Sequence, residues 1–186
     1  LSGALERGHD MVYVCYDNEA YMNTGIQRSS STPRFADATT SPAGSVLPGK
    51  IQNKKNLTEI VAAHNVPYVA QTTFIGNFKD LHEKAHKAIY TKGANFLNIL
   101  SPCPRGWRYD AADLQEICQL AVDTCVWPMY EIENGIYRLT YEPKKKLPVE
   151  EFLSKQGRFK HMFKPDAEWM IEEAQAYVDK EWEKLL

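Results

Sequence analysis

The chain has 186 residues, 44% of them hydrophobic and 25% charged, which is enough for one sizeable core and ordinary for a soluble domain. A formal net charge of -2 and a pI of about 6.2 leave no basic surplus for a polyanion, so nucleic acid is excluded as an expected partner. No run of about 18 apolar residues could span a bilayer, and Leu1 to Asp10 lacks the charged-then-apolar order of a signal peptide, so a cytoplasmic protein with no membrane partner is expected.

Leu1 to Gly8 reads as the last turns of a helix closed by a glycine, so the chain is expected to begin inside a fold. Met11 to Tyr16 (MVYVCY) is a short apolar, β-branched and aromatic run, the pattern of a strand buried on both faces of a parallel sheet. From Gly25 to Lys55 the chain is rich in Ser, Thr, Pro and Gly without periodicity, a long irregular stretch of the kind that is more often functional than idle. Asn56, with Glu59 three residues on, caps a helix carrying Leu57, Ile60, Val61 and His64 on one face, and Pro67 ends it.

The unit then repeats. Tyr68 to Thr73 reads as a strand, and Asn77 caps a helix whose apolar face carries Phe78, Leu81, Ala85, Ala88 and Ile89 until Lys92-Gly93 closes it. Phe96 to Leu100 is the next buried strand, and after a turn Asp110 caps a helix with Leu114, Ile117, Cys118, Ala121, Val122 and Cys125 inward. Strand and helix alternation predicts an α/β fold with a mostly parallel sheet flanked by helices. Ligands in such sheets gather at the carboxyl ends of strands, where the segments after Tyr16 and after Leu100 lie.

Beyond Pro128 the pattern changes. Met129 to Glu133 and Ile136 to Tyr141 flank Asn134-Gly135, the pair suited to a type I′ hairpin turn. Pro143 to Lys146 is a solvated connector, with Lys144 to Lys146 read as solubility or as an attraction for an acidic electron carrier. Pro165-Asp166 opens a last helix with Trp169, Met170, Ala174, Tyr177, Val178, Trp182 and Leu185, apolar enough to dock on this chain or on a partner. The expected organisation is an α/β domain over residues 1–128 and a hairpin and helical extension over 129–186.

Two segments carry donor atoms. Asp17 to Gly25 is a sharp polar turn offering amide, carboxylate and carbonyl oxygens, hard ligands suited to Mg²⁺; on spacing alone it reads equally as an ordinary loop. In Ser101 to Trp107, Pro102 and Pro104 stiffen the backbone around Cys103 and Arg105 favours a thiolate, though a lone cysteine also reads as a small buried hydrophobe. Cys15, Cys118 and Cys125 fit core positions, and with no Cys-x-x-Cys spacing the four cysteines suit reduced thiols or a shared metal site. His64 reads as a packed imidazole, and His82 and His86 as solvated surface lacking a third ligand.

The string YDNEAYMNTGIQRSSSTP resembles the second half of the thiamine-diphosphate motif in β subunits of 2-oxoacid:ferredoxin oxidoreductases, the pyruvate enzymes above all. Ser101-Pro102-Cys103, Ala62 to Ala70, Pro148 to Leu153 and Gln156 to Phe159 are similar to further segments of that family in the same order, so the resemblance covers nearly the whole chain. It implies the C-terminal part of a thiamine-diphosphate-binding fold in which Asn18 and Ala20 hold Mg²⁺ by side-chain and main-chain oxygen. Tyr21, Thr24 and Gly25 would lie near the cofactor and Asn23 would face the substrate, while Cys103 would be one ligand of a 4Fe-4S cluster. The family's Gly-Asp-Gly turn and Cys-x-x-Cys are not in this sequence.

The implied activity is oxidative decarboxylation of pyruvate to acetyl-CoA and CO₂, with electrons passing through 4Fe-4S to ferredoxin and with other subunits (of α, γ and δ type) and coenzyme A as partners. Oxalate, 2-oxoisovalerate and 2-oxoglutarate are alternative substrates within the family. Two further readings are a subunit-interface module without activity of its own and a phosphate-binding α/β enzyme with Cys103 as nucleophile.

Overall fold

The computed structural model describes residues 1–76 and 78–186. Asn77, the expected cap of the helix after the second strand, lies outside the described residues, and that helix starts from Phe78 in a left-handed conformation.

Among the described residues the core element is a five-stranded sheet in the order β1 (Met11–Asp17), β3 (Ala94–Leu100), β2 (Tyr68–Thr73), β4 (Tyr130–Glu133), β5 (Ile136–Leu139). β1, β3 and β2 are parallel, and the hairpin of β4 and β5 adds two antiparallel strands at the β2 side. Asn134 and Gly135 join the hairpin with φ of 50° and 81°, the two positive values that a type I′ turn requires.

Alternation of side chains across β2 and β3 divides the core. Val69 and Phe96 point to one face, where Val61 of α2 (Leu57–Ala62) packs; Tyr68, Ala70 and Leu97 point to the other, against Ala88 of α3 (Lys79–Tyr90). Asn56 caps α2, its side chain accepting the Glu59 amide hydrogen at 3.2 Å. Beyond the strand ends, a third cluster joins the long loop (Phe35, Ala36), Trp107, α5 (Leu114–Asp123), α6 (Val149–Ser154), a 3₁₀ segment (Gly157–Phe163) and α7 (Glu168–Glu183). Met170, Val178 and Trp182 of α7 are buried in it, so the terminal helix docks on this chain.

Two expectations need correction. Among the described residues β1 is an edge strand, with Tyr13, Val14 and Tyr16 at 42%, 38% and 72% exposure, where the sequence predicts a strand covered on both faces. Phe78 and Ile89 do not face the sheet, being 52% and 67% exposed. The inward face of α3 carries Ala85 and Ala88, as the sequence predicts, and with them Lys84.

Lys84 lies buried there because every donor finds an acceptor: the Asp80 carboxylate at 2.8 Å, the Gln71 carbonyl at 2.8 Å and the Thr140 hydroxyl at 2.7 Å. Burial outweighs Asp80 and lowers its pKa from 10.5 to about 8. Lys50, discussed below, is lowered in the same way to about 8. Between these values and 10.5 the unfolded chain holds protons that the folded chain has released, so stability rises with pH from about 8 to 10. Replacing Lys84 by Met is expected to make that rise shallower in thermal melts across this window; an identical pH profile in the variant contradicts the account.

Candidate functional site at two adjacent strand ends

β1 and β3 are in register to their last residues, Asp17 opposite Leu100, and the pairing continues one step as the Ser101 amide donates to the Asp17 carbonyl at 2.9 Å. The turns leaving these strands therefore start side by side. The second turn winds into the four-residue helix α4 (Pro104–Trp107), with Cys103 at its N-cap and Pro104 in its first turn. Trp107 of α4 donates its indole N–H to the Asn18 carbonyl at 2.9 Å, and a Cβ on Gly106 would collide with the Met22 sulfur. The two turns are thus in direct contact.

Under the first turn lies a buried group of charges. Glu19 is 3% exposed and takes φ of 65°, a left-handed conformation that costs a non-glycine residue about 1–2 kcal/mol. Its carboxylate meets Arg158 at 2.5 Å on one oxygen and Lys54 at 2.8 Å on the other. Asp17 accepts from Lys54 at 2.7 Å, from the Ser31 hydroxyl at 2.5 Å and from the Glu19 amide at 2.9 Å. The Arg158 guanidinium lies 3.8 Å from the centre of the Trp107 ring, and the Lys54 ammonium 4.7 Å from that of Trp127, both in cation–π range.

Burial lowers the Arg158 pKa against the pull of Glu19; at Lys54 burial also acts downward, but Glu19 and Asp17 together raise the pKa above its ordinary value. Two acids and two bases close the group at zero net charge. Asp17, Glu19 and Arg158 have left water because their partners are in place, while Lys54 keeps a fifth of its side chain exposed.

The long loop wraps this group. The Lys50 ammonium is buried against the carbonyls of Ser30, Thr32 and Asn53, and burial, followed by repulsion from Arg28 and Lys54, brings its pKa to about 8. Thr32 reaches back to the Glu19 carbonyl at 2.6 Å, and the Asp37 amide donates to the Arg158 carbonyl at 2.9 Å. Gly157 seats Arg158 by packing against Arg108, whose Cβ would lie 2.7 Å from a Cβ at position 157.

Of the residues singled out in the sequence, the structure brings Asn18, Ala20 and Cys103 together at the strand ends, all half-buried. The Asn18 side-chain oxygen receives only a long 3.4 Å contact from the Ala20 amide, and among the described residues nothing donates to the Ala20 carbonyl. Two weakly committed oxygens on one turn fit a hard divalent cation. Cys103 sulfur accepts the Gly106 amide hydrogen at 3.4 Å, a contact that suits a ligating thiolate.

Tyr21, Asn23, Thr24 and Gly25 lie instead on an exposed loop closed by paired bonds between Tyr21 and Gln27 at 2.9 and 3.0 Å. Cys118 and Cys125 are core residues, and all four cysteines are free thiols. His64 is held between the Ser2 hydroxyl at 2.7 Å and the Ile60 carbonyl at 2.9 Å, while His82 and His86 are exposed. Among the described residues no group of three or more His, Cys, Asp and Glu could hold a metal, and no helix is long and apolar enough to cross a membrane.

Reading the sequence missed Glu19, Lys54, Trp107 and Arg158 as parts of the site. Little in the sequence marks them: Arg158 stands between Gly157 and Phe159 with Lys155 and Lys160 close by, and Glu19 directly follows Asn18 at a strand end. Glu19→Ala would strand Arg158 as a buried charge and is expected to cost about 3–5 kcal/mol in denaturant unfolding. A loss below about 1 kcal/mol, the range of an exposed pair, contradicts this account of the cluster.

The family model for the C-terminal TPP-binding domain of thiamine pyrophosphate enzymes matches residues 1–99. Over its full length the chain is 52% identical to the pyruvate synthase subunit PorB of Thermotoga maritima, covering 57% of that protein, and 51% identical to PorB of Methanocaldococcus jannaschii, covering 60%. It is 49% identical to the ketoisovalerate oxidoreductase subunit VorB of Pyrococcus furiosus, again over its full length and 58% of the relative. A solved 2-oxoglutarate:ferredoxin oxidoreductase from Magnetococcus marinus is 26% identical, with a TM-score of 0.49 over 64% of this chain and 45% of that one. The chain therefore spans less than two thirds of the length of these relatives. It belongs to the thiamine pyrophosphate enzymes, with the C-terminal TPP-binding domain of that family over residues 1–99.

Proposed function

We propose that this chain is the C-terminal part of the β subunit of a 2-oxoacid:ferredoxin oxidoreductase, that pyruvate is its substrate, and that it works in the cytoplasm with other subunits, ferredoxin and coenzyme A. The observation that carries the reading is the contact between an oxygen-bearing turn after β1 and a sulfur-bearing turn after β3, fastened by Trp107 and Asn18. Kinship over the full chain with two pyruvate synthase subunits supports the choice of substrate. The VorB relative at 49% identity keeps a branched 2-oxoacid as the second reading. Residues 1–128 would be the cofactor-binding unit and 129–186 an extension that buttresses it.

In this reading Asn18 and Ala20 would supply two oxygens to Mg²⁺, with Tyr21, Thr24 and Gly25 on the same loop near the cofactor, and Cys103 would supply one sulfur to a 4Fe-4S cluster. When bound, thiamine diphosphate would supply the electron sink that decarboxylation of a 2-oxoacid needs. The residues of this chain bind and orient: Glu19 commits its carboxylate to Lys54 and Arg158, which would leave the neutral oxygens of Asn18 and Ala20 to the cation. Asn23, on the exposed loop, is free to meet the substrate.

Asn18→Leu in the full-length protein is expected to raise the dissociation constant of Mg²⁺-thiamine diphosphate at least about tenfold while the melting temperature stays near wild type. Unchanged cofactor affinity would reject the ligand assignment. Cys103→Ala is expected to lower iron content and to slow ferredoxin reduction more than CO₂ release; full ferredoxin reduction with intact iron refutes the cluster role, and a cluster-free parent alkylated at Cys103 favours a nucleophile instead.

A further inference from the structure

Glu19 sits between the two proposed metal donors, and both peptide groups that flank it are pinned. The group joining Asn18 to Glu19 is held by Trp107 on its oxygen and by Asp17 on its N–H. The group joining Glu19 to Ala20 is held by Thr32 on its oxygen, with Asn18 facing its N–H. Arg158 touches both sets of restraints at once: it binds the Glu19 carboxylate at 2.5 Å and lies 3.8 Å over the ring that donates to Asn18. It is itself 2% exposed and fixed by Gln156, whose side-chain oxygen accepts from its Nε at 2.9 Å.

We infer that Arg158 is a positioning residue for cofactor binding: by clamping Glu19 and Trp107 it directs the Asn18 and Ala20 oxygens and fixes the spacing between the metal turn and the Cys103 turn, without touching the cofactor. The inference rests on the cofactor reading above. Peptide groups are planar, so pinning the two that flank Glu19, held at positive φ, fixes the Cα positions of Asn18 and Ala20, from which the Asn18 side chain and the Ala20 carbonyl project. Loss of the clamp frees Glu19 to relax toward ordinary backbone angles and turns those oxygens aside.

The test uses the full-length protein in its complete enzyme and measures binding of Mg²⁺-thiamine diphosphate by calorimetry, beside melting temperature. Arg158→Gln is expected to weaken binding about 10- to 100-fold, the range seen when the support of a metal ligand is removed. Arg158→Lys keeps the charge but loses the planar stack and is expected to fall between wild type and Gln. Trp107→Phe, which keeps a ring but loses the N–H to Asn18, is expected to show a smaller loss than Arg158→Gln. Ile132→Ala, in β4 at the far side of the sheet, serves as the control for destabilisation alone and is expected to bind normally.

Normal binding by Arg158→Gln overturns the inference. So does a loss in Ile132→Ala equal to that of Arg158→Gln at an equal drop in melting temperature. If Arg158→Gln does not fold, Arg158→Lys decides by the same criterion. A wild-type enzyme that does not bind the cofactor overturns the cofactor reading together with this one, whereas wild-type binding with normal Arg158 variants overturns this one alone.

Discussion

The arrangement of the site depends on the pairing of Glu19 with Arg158 and Lys54 beneath the turn that leaves β1. An ion taken out of water is costly, and attraction between partners offsets that cost only when the geometry is good and remaining lone pairs are filled. Here they are filled: the Asp17 and Glu19 carboxylates share Lys54, Arg158 stacks on Trp107, and Ser31 and Thr32 close the polar shell. An apolar cluster of the same volume could be as stable. It would lack the directional bonds that hold a strained, left-handed glutamate between two oxygen donors.

The rest of the molecule presents and holds this cluster. Register between β1 and β3 brings two strand ends level, so the turns that follow them meet. The irregular stretch from residue 25 to residue 55 has little regular structure of its own, yet Lys50 gathers its carbonyls and Lys54 inserts beneath the turn. From the other end of the chain, α6 and α7 pack the 3₁₀ segment against Trp107 and Phe35, delivering Arg158. A segment that looks peripheral in the sequence thereby supplies a cation to the buried charge group beneath the turn.

What could be read from the sequence follows the range of the interactions involved. The Asn56 cap and the Asn134-Gly135 turn depend on neighbours within three residues, and both are where the sequence places them. The closeness of Asn18 and Cys103 was also legible, because parallel strands put their carboxyl ends on one side of a sheet. The exposure of β1 was not: MVYVCY is as apolar as a central strand, and strand order is decided by pairings far along the chain. Lys84 escaped because a buried lysine depends on Gln71 and Thr140, which its own helix does not reveal. The bond from Arg158 to Glu19 spans 139 residues and leaves no local trace in a stretch that also holds Lys155 and Lys160.

The proposed cofactor site rests on the pair of oxygens on the turn after β1. The most direct measurement is a structure of the full-length enzyme with Mg²⁺ and thiamine diphosphate. The account expects the ion at about 2.0–2.1 Å from both the Asn18 side-chain oxygen and the Ala20 carbonyl, with Glu19 still bound to Arg158. An ion held by the Asp17 or Glu19 carboxylates, or one that leaves Asn18 and Ala20 without a metal bond, would contradict it.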